Sequence, residues 1–280
     1  MDGLEIGLCW GTLVQATLPE LIEAAGRHGF PTLSVRPDIF LDTVAGGVTA
    51  KMLRQMLRDA GVRVQVIDAI SAGLPGGRPA APSHPGGMVV GSAETCLFVA
   101  EELEAPIINI CHYGDWQGGP VLLPEMIDAV STISRDAAAR GKRIVMEFVP
   151  DTGIPSIHDA LAIVRGVGMD NCGILLDPWH LSRNGGTVED IRNLPPHTIG
   201  AFQLDDRTLP PPGTAYVPMT GRDLPGEGEL PLIELCKAAL ANNPELTAEV
   251  EVFSEELRGL VVDAAAARVR QAIDKWRAAL

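Results

Sequence analysis

Four apolar runs in this chain each lead into a side chain that can donate oxygen. They are Ile-Val-Met-Glu147, Ile-Leu-Leu-Asp177, Gly-Ala-Phe-Gln203 and Ala-Glu-Val-Glu251. A short apolar run without turn signals suits a strand buried on both faces. A lone carboxylate at the end of such a strand costs several kcal/mol, so Asp177 needs a cation or a hydrogen-bond donor. A cap on the following turn is its other available role. If the four runs are neighbouring strands, three carboxylates and one carboxamide meet in a small volume. Carboxylates that close repel one another unless a cation neutralises them. This donor set suits one divalent ion, Mn²⁺ or Mg²⁺ first, with Co²⁺ or Zn²⁺ as alternatives. Glu249 shares a face with Glu251 by the two-residue strand period. Glu251 is the preferred ligand because it lies nearer the strand's carboxyl end, with Glu249 pointing into the interior as a hydrogen-bond acceptor.

The elements that must bring these ends together alternate along the chain. Residues 4–10, 32–36, 62–68, 106–111, 143–147, 172–177, 199–203 and 246–253 read as eight strands. Helical stretches separate them. Thr17-Leu-Pro-Glu20 has the cap, the early proline and the glutamate three residues on of a helix start. Further helices are expected over 49–60, 92–104, 124–140, 156–165, near 188–194, over 231–240 and at the alanine-rich end. Eight strand–helix units in a chain of 280 residues predict an α/β fold, a single (β/α)8 TIM barrel over residues 1–280. A doubly wound sheet would carry a Gly-rich phosphate loop after its first strand, and Trp10-Gly-Thr-Leu-Val14 is not one. In a barrel the carboxyl ends of the strands form the active face. Two long Gly/Pro-rich connections, 71–91 and 206–228, are expected to cover that face.

Composition narrows the partners. The chain is 46% hydrophobic but only 4% aromatic, so its core must be mainly aliphatic. A net charge of -14 disfavours a nucleic-acid partner. No run is long enough for a membrane span, and the amino terminus lacks a basic region followed by a long apolar run. The five cysteines are scattered, with no Cys-x-x-Cys pair, and read as small core residues in a reducing, cytoplasmic setting. A small-molecule partner is expected, and self-association into a homo-oligomer is compatible with the sequence. His112, Tyr113 and Trp116 either line a substrate pocket or pack a loop. Asp205 and Asp206 form a turn or pair with Arg207, which could alternatively bind a substrate acid group.

The stretches Val145-Met-Glu-Phe148, Leu176-Asp-Pro-Trp-His180, Phe202-Gln-Leu-Asp-Asp206, Pro225-Gly-Glu-Gly228 and Glu251-Val-Phe253 resemble the xylose-isomerase-like superfamily of sugar isomerases and epimerases. The resemblance runs over essentially the whole chain. It implies metal ligation by Glu147, Asp177, Gln203 and Glu251, with Glu147 and Glu251 as the acid/base pair. It also implies that His180 and Arg222 contact substrate; His112 and Arg207 are further substrate-binding candidates from the residues themselves. The expected activity is a metal-dependent isomerase or epimerase of a sugar or keto-polyol, abstracting a proton beside a carbonyl. Ketose 3-epimerases of the family generally carry histidine where this chain has Gln203. Glutamine there is similar to the hydroxypyruvate isomerase and 3-dehydroshikimate dehydratase branches, so a dehydratase is the runner-up. An endonuclease IV-like phosphodiesterase would need a histidine-rich multi-zinc site, and six histidines spread along an acidic chain argue against it. A silent, ligand-binding barrel is the remaining alternative.

Overall fold

The apolar runs become strands and the amphipathic stretches between them become helices. The computed structural model describes residues 3–77, 81, 82, 84, 87–113, 122–211, 213, 214, 217 and 220–279. Its strands are β1 Ile6–Cys9, β2 Thr32–Val35, β3 Arg63–Ile70, β4 Ile107–Cys111, β5 Arg143–Glu147, β6 Cys172–Leu176, β7 Ile199–Leu204 and β8 Ala248–Val250. Each pairs in parallel with the next, and β8 returns to β1 through Ile6↔Ala248, Gly7↔Glu249 and Leu8↔Val250. The sheet is therefore a closed barrel, a single (β/α)8 TIM barrel with its strands buried on both faces.

Around it lie α1 Leu18–Arg27, α2 Pro37–Ala45, α3 Ala50–Ala60, α4 Ala93–Glu102, α5 Leu123–Ala138 and α6 Ile157–Val167. These are followed by α7 Pro178–Arg183, α8 Val188–Arg192, α9 Leu232–Asn242, α10 Glu255–Arg258 and α11 Val262–Ala278. The Thr17 hydroxyl accepts from Glu20 N while Glu20 accepts from Thr17 N, completing the expected capping box of α1. Gly61 ends α3 at φ +67, a left-handed conformation that glycine adopts without a Cβ penalty. No described helix is long and apolar enough to cross a membrane.

Three local differences from the sequence reading matter for the site. First, β8 is three residues long instead of eight, so Glu251 lies just beyond it. Its backbone N–H still donates to Leu204 O at 3.2 Å, which continues the ladder geometry by one residue. Second, α7 begins directly after Asp177, a helix the sequence reading did not place. Proline at its first position and Asp177 as its cap make this short helix. Third, α2 inserts between β2 and α3, again opening on a proline.

Inside the barrel, Val66, Ile107, Val145, Leu175 and Ala201 form one apolar layer. A far larger aliphatic core fills the space between the strands and the helices. Gly7 admits the closest approach across the interior, because a Cβ there would lie 1.9 Å from Thr32 Oγ1.

Candidate active site

The two-residue period of a strand turns that apolar layer into a chemical one a step further on. Two residues after Val66, Ile107, Val145, Leu175 and Ala201 come Asp68, Asn109, Glu147, Asp177 and Gln203. All five are buried at the carboxyl end of the barrel, and Glu251 joins them from the end of β8. Low-dielectric walls on every side make each charge there costly unless it is paired.

Asp177 divides its two oxygens between fold and site. Oδ1 accepts from His180 N at 2.9 Å, which caps α7. Oδ2 accepts from Arg222 Nη2 at 3.0 Å and lies 3.5 Å from His180 Nε2. Both roles anticipated for this residue are therefore present together. The same Arg222 nitrogen reaches Glu251 Oε2 at 3.3 Å and approaches His180 Nε2 at 3.2 Å, while Arg222 Nε donates to Asp205 Oδ2 at 2.9 Å. Arg222 is buried and sits over the Trp179 ring, 4.4 Å from its centroid. Burial alone would lower its pKa, but the charges of Asp177, Glu251 and Asp205 outweigh that and hold it protonated. Burial likewise pushes Asp177 upward, yet His180 and Arg222 hold its carboxyl below the usual range.

Each of the two glutamates is clamped at both oxygens. His180 Nε2 lies 3.1 Å from Glu147 Oε1, and Asn109 Nδ2 donates to Glu147 Oε2 at 2.9 Å. Cys9 Sγ donates to Glu251 Oε1 at 3.2 Å, opposite the Arg222 contact on Oε2. Burial pushes the Glu251 carboxyl well above the ordinary range, against the pull of Arg222. Asn109 Nδ2 also donates to Asp68 Oδ1 at 2.8 Å, and Trp10 Nε1 donates to Asp68 Oδ2 at 2.9 Å. Burial and the Glu147 charge raise Asp68 to about 6.

The donor set can be tested against a divalent cation on this geometry. Ligand atoms of Glu147, Asp177 and His180 lie within 4.8 Å of one another, and so do those of Cys9, Asp68 and Glu251. Gln203 is buried on β7, and among the described residues its Oε1 has no hydrogen-bond donor. A buried carboxamide oxygen without a donor, beside clustered carboxylates, is what a cation would satisfy. Both groups offer donors that suit a divalent ion, with Glu147 and Asp177 in one and Glu251 in the other.

The other sequence candidates have distinct places. Glu249 points into the barrel below the cluster, where Thr32 Oγ1 donates to its Oε1 at 2.8 Å. His112 spends both ring nitrogens on backbone. Nε2 meets Pro75 O at 2.9 Å, and Gly153 N donates to Nδ1 at 3.1 Å, tying three loops together. Arg207 does not pair with the neighbouring aspartates; its Nη1 donates to Ser182 Oγ at 3.0 Å. Asp206 instead accepts from the backbone N–H groups of Arg207, Gly226 and Leu230, and so holds the Pro225-Gly-Glu-Gly228 turn. Trp116 lies outside the described residues. The two expected covering loops are described only in part, since 78–80, 83, 85, 86, 212, 215, 216, 218 and 219 fall outside as well.

Sequence reasoning did not single out Asp68 or Asn109, read Cys9 only as a core residue, and gave Asp205 a turn or Arg207 as its partner where the structure gives it Arg222. The alternation itself carried the signal for Asp68 and Asn109, which sit two residues beyond apolar interior positions. Nothing local marks Asp205 as the partner of an arginine 17 residues away.

The model of the xylose isomerase-like TIM barrel family matches residues 22–279. An inosose isomerase of Bacillus subtilis (strain 168) is 27% identical over 141 residues, 50% of each chain. The match thus spans about half the length of that relative. A 3-dehydroshikimate dehydratase of Pseudomonas aeruginosa is 24% identical over 248 residues, 88% of this chain and 37% of the relative. Among solved structures, the IolI protein with a bound zinc atom superposes with a TM-score of 0.82 at 18% identity, covering 98% of both chains. With a family model spanning β2 through α11, this chain belongs to the xylose isomerase-like TIM barrel family.

Proposed function

We propose that this protein is a divalent-metal-dependent isomerase or epimerase of a polyhydroxylated carbonyl compound, moving a proton beside the carbonyl through Glu147 and Glu251. One observation carries the reading: two buried glutamates in one cluster, each held at both oxygens by a different pair of polar partners. Fixed orientation is what a proton-transfer pair needs, because efficiency depends on geometry before pKa.

Glu147, Asp177, Gln203 and Glu251 would hold the metal, which supplies Lewis-acid polarisation of a carbonyl oxygen. Mn²⁺ and Mg²⁺ suit an oxygen donor set; the zinc of the IolI structure keeps Zn²⁺ and Co²⁺ in the comparison. Arg222 adds a fixed positive charge where negative charge develops on the substrate. One glutamate takes the carbon-bound proton, and the other returns a proton to the neighbouring carbon or the opposite face. Cys9 and Asn109 hold the two carboxylates in place from behind, and His180 bridges Glu147 to Asp177. The inosose isomerase relatives favour a keto-polyol substrate.

A dehydratase is the second reading, favoured by the 88% of this chain that aligns with the dehydroshikimate enzyme. In it the second glutamate would protonate a departing hydroxyl. Incubation with inososes, ketoses and 3-dehydroshikimate in D₂O, with and without each metal, tests both. Metal-dependent deuterium uptake with a shifted carbonyl or an inverted centre, and no loss of water, supports the first; loss of one water supports the second. Cleavage of abasic DNA with no exchange on any carbonyl compound would overturn both.

A further inference from the structure

Two guanidinium groups line one cavity of 260 Å³ beside the cluster. Arg183 reaches it from α7 and Arg207 from just after β7, with Trp179, Pro210 and Val217 among the other lining residues. Arg183 Cζ lies 4.7 Å from the Trp179 ring centroid, and Arg222 Cζ lies 4.4 Å from the same centroid. The cavity and the carboxylate cluster are therefore one indole apart.

Neighbouring cations at a half-buried site repel one another, and the sequence is otherwise strongly acidic. Burial first, and the charge of Arg183 second, lower the pKa of Arg207. Among the described residues no carboxylate forms an ion pair with Arg207, whose Nη1 rests on the Ser182 hydroxyl. Arg183 meets Asp151 Oδ2 at 3.3 Å, but that aspartate side chain is 75% exposed while Arg183 is 9% exposed, so water screens the pair. Two forked donors match the geometry of a carboxylate or phosphoryl group, while the Thr208 and Thr220 hydroxyls donate to Asp223 and to Val217 O.

We infer that Arg183 and Arg207 form an oxyanion subsite for the acid group of the substrate, a carboxylate or a phosphoryl group. The assignment rests on the proposed carbonyl chemistry only for the other end of that substrate. It adds an acid group to the polyhydroxylated carbonyl substrate proposed above.

Calorimetric titration of the full chain with malonate and with inorganic phosphate tests the subsite independently of turnover. Saturable binding is expected, stronger for whichever oxyanion class the subsite serves. Arg207→Met and Arg183→Met should each weaken it about tenfold or more, and Arg207→Lys should weaken it less, because charge remains but the fork is lost. Absence of saturable binding, or equal binding by the folded Met variants, overturns the subsite. Kinetics then compare 3-dehydroshikimate, a ketose phosphate and a neutral inosose. Arg207→Met should raise KM for an acid substrate at least about tenfold more than for the neutral ketone. An equal change for both overturns the substrate assignment. Saturable, arginine-dependent oxyanion binding without turnover of any carbonyl compound would instead remove the proposed reaction and leave the subsite standing.

Discussion

Arg222 Nη2 lies 3.0 Å from Asp177 Oδ2 inside a fully buried cluster of acidic side chains. The same guanidinium serves Asp205 and Glu251, so three carboxylates depend on one cation. Removing one partner of a buried ion pair leaves uncompensated charge. Arg222→Met should cost about 3–5 kcal/mol in urea denaturation. Added Mn²⁺ should raise the variant's Tm more than that of the parent protein, because it restores positive charge at the same carboxylates.

Asp177→Asn should separate the two jobs of that residue. Asparagine keeps an oxygen that can cap α7 through His180 N. It loses the negative charge that faces Arg222 and the metal position. Elemental analysis should find metal content sharply reduced, while circular dichroism remains that of the folded barrel. Full metal content together with full activity would contradict the ligand assignment.

Glu251→Gln keeps an oxygen donor and the Arg222-facing position but removes the basic carboxylate. Turnover should fall about a hundredfold or more, with residual metal retained. Solvent deuterium exchange at the carbon beside the carbonyl should fall in parallel. A variant that still exchanges at the parental rate would remove Glu251 from the acid/base pair.

Glu249 gives a prediction with a definite pH sign. Burial, only partly offset by the Thr32 hydrogen bond, raises its carboxyl from 4.5 to about 7. A carboxyl with a raised folded pKa binds more protons in the folded than in the unfolded state between those values. The protein should therefore lose stability as pH rises from about 4.5 to 7, by an amount on the order of 3 kcal/mol. Above that window the cost is fully expressed and constant. Glu249→Gln keeps the Thr32 contact without the charge, so its advantage over the parent should grow from pH 5 to pH 8. Urea midpoints at both pH values measure it; an advantage independent of pH would contradict the assignment.

Asp206 holds the Pro225-Gly-Glu-Gly228 turn through the backbone N–H groups of Gly226 and Leu230. Asp206→Ala should destabilise the protein by about 1.5–3 kcal/mol, the usual scale for losing hydrogen bonds to a charged group. It should also displace Arg222, which leads into that turn, so kcat should fall with stability. Thermal melts and kinetics on the same preparation would show whether the two losses travel together.

Much of the barrel was legible because periodicity is local. Strand β5 is found at 143–147 as expected from its apolar run, and the capping box at Thr17 and Glu20 forms as its spacing requires. The tertiary fold overrode the reading at β8, which stops at Val250. Twist and closure against β7 and β1 limit how far that strand can pair, and no local propensity encodes that limit. The short helix α7 was missed because six residues give too little periodicity to detect.

The sequence by itself determined that oxygen-bearing side chains end several apolar runs, and the two-residue alternation decided which of them enter the barrel. It also made the core aliphatic and the chain acidic. Only the tertiary structure decided which partners meet there. Cys9 with Glu251, Asn109 with both Asp68 and Glu147, and Arg222 with Asp177 and Asp205 are contacts between distant segments. Barrel closure brings the first and last strands together, and burial then forces every charge so enclosed to find a partner.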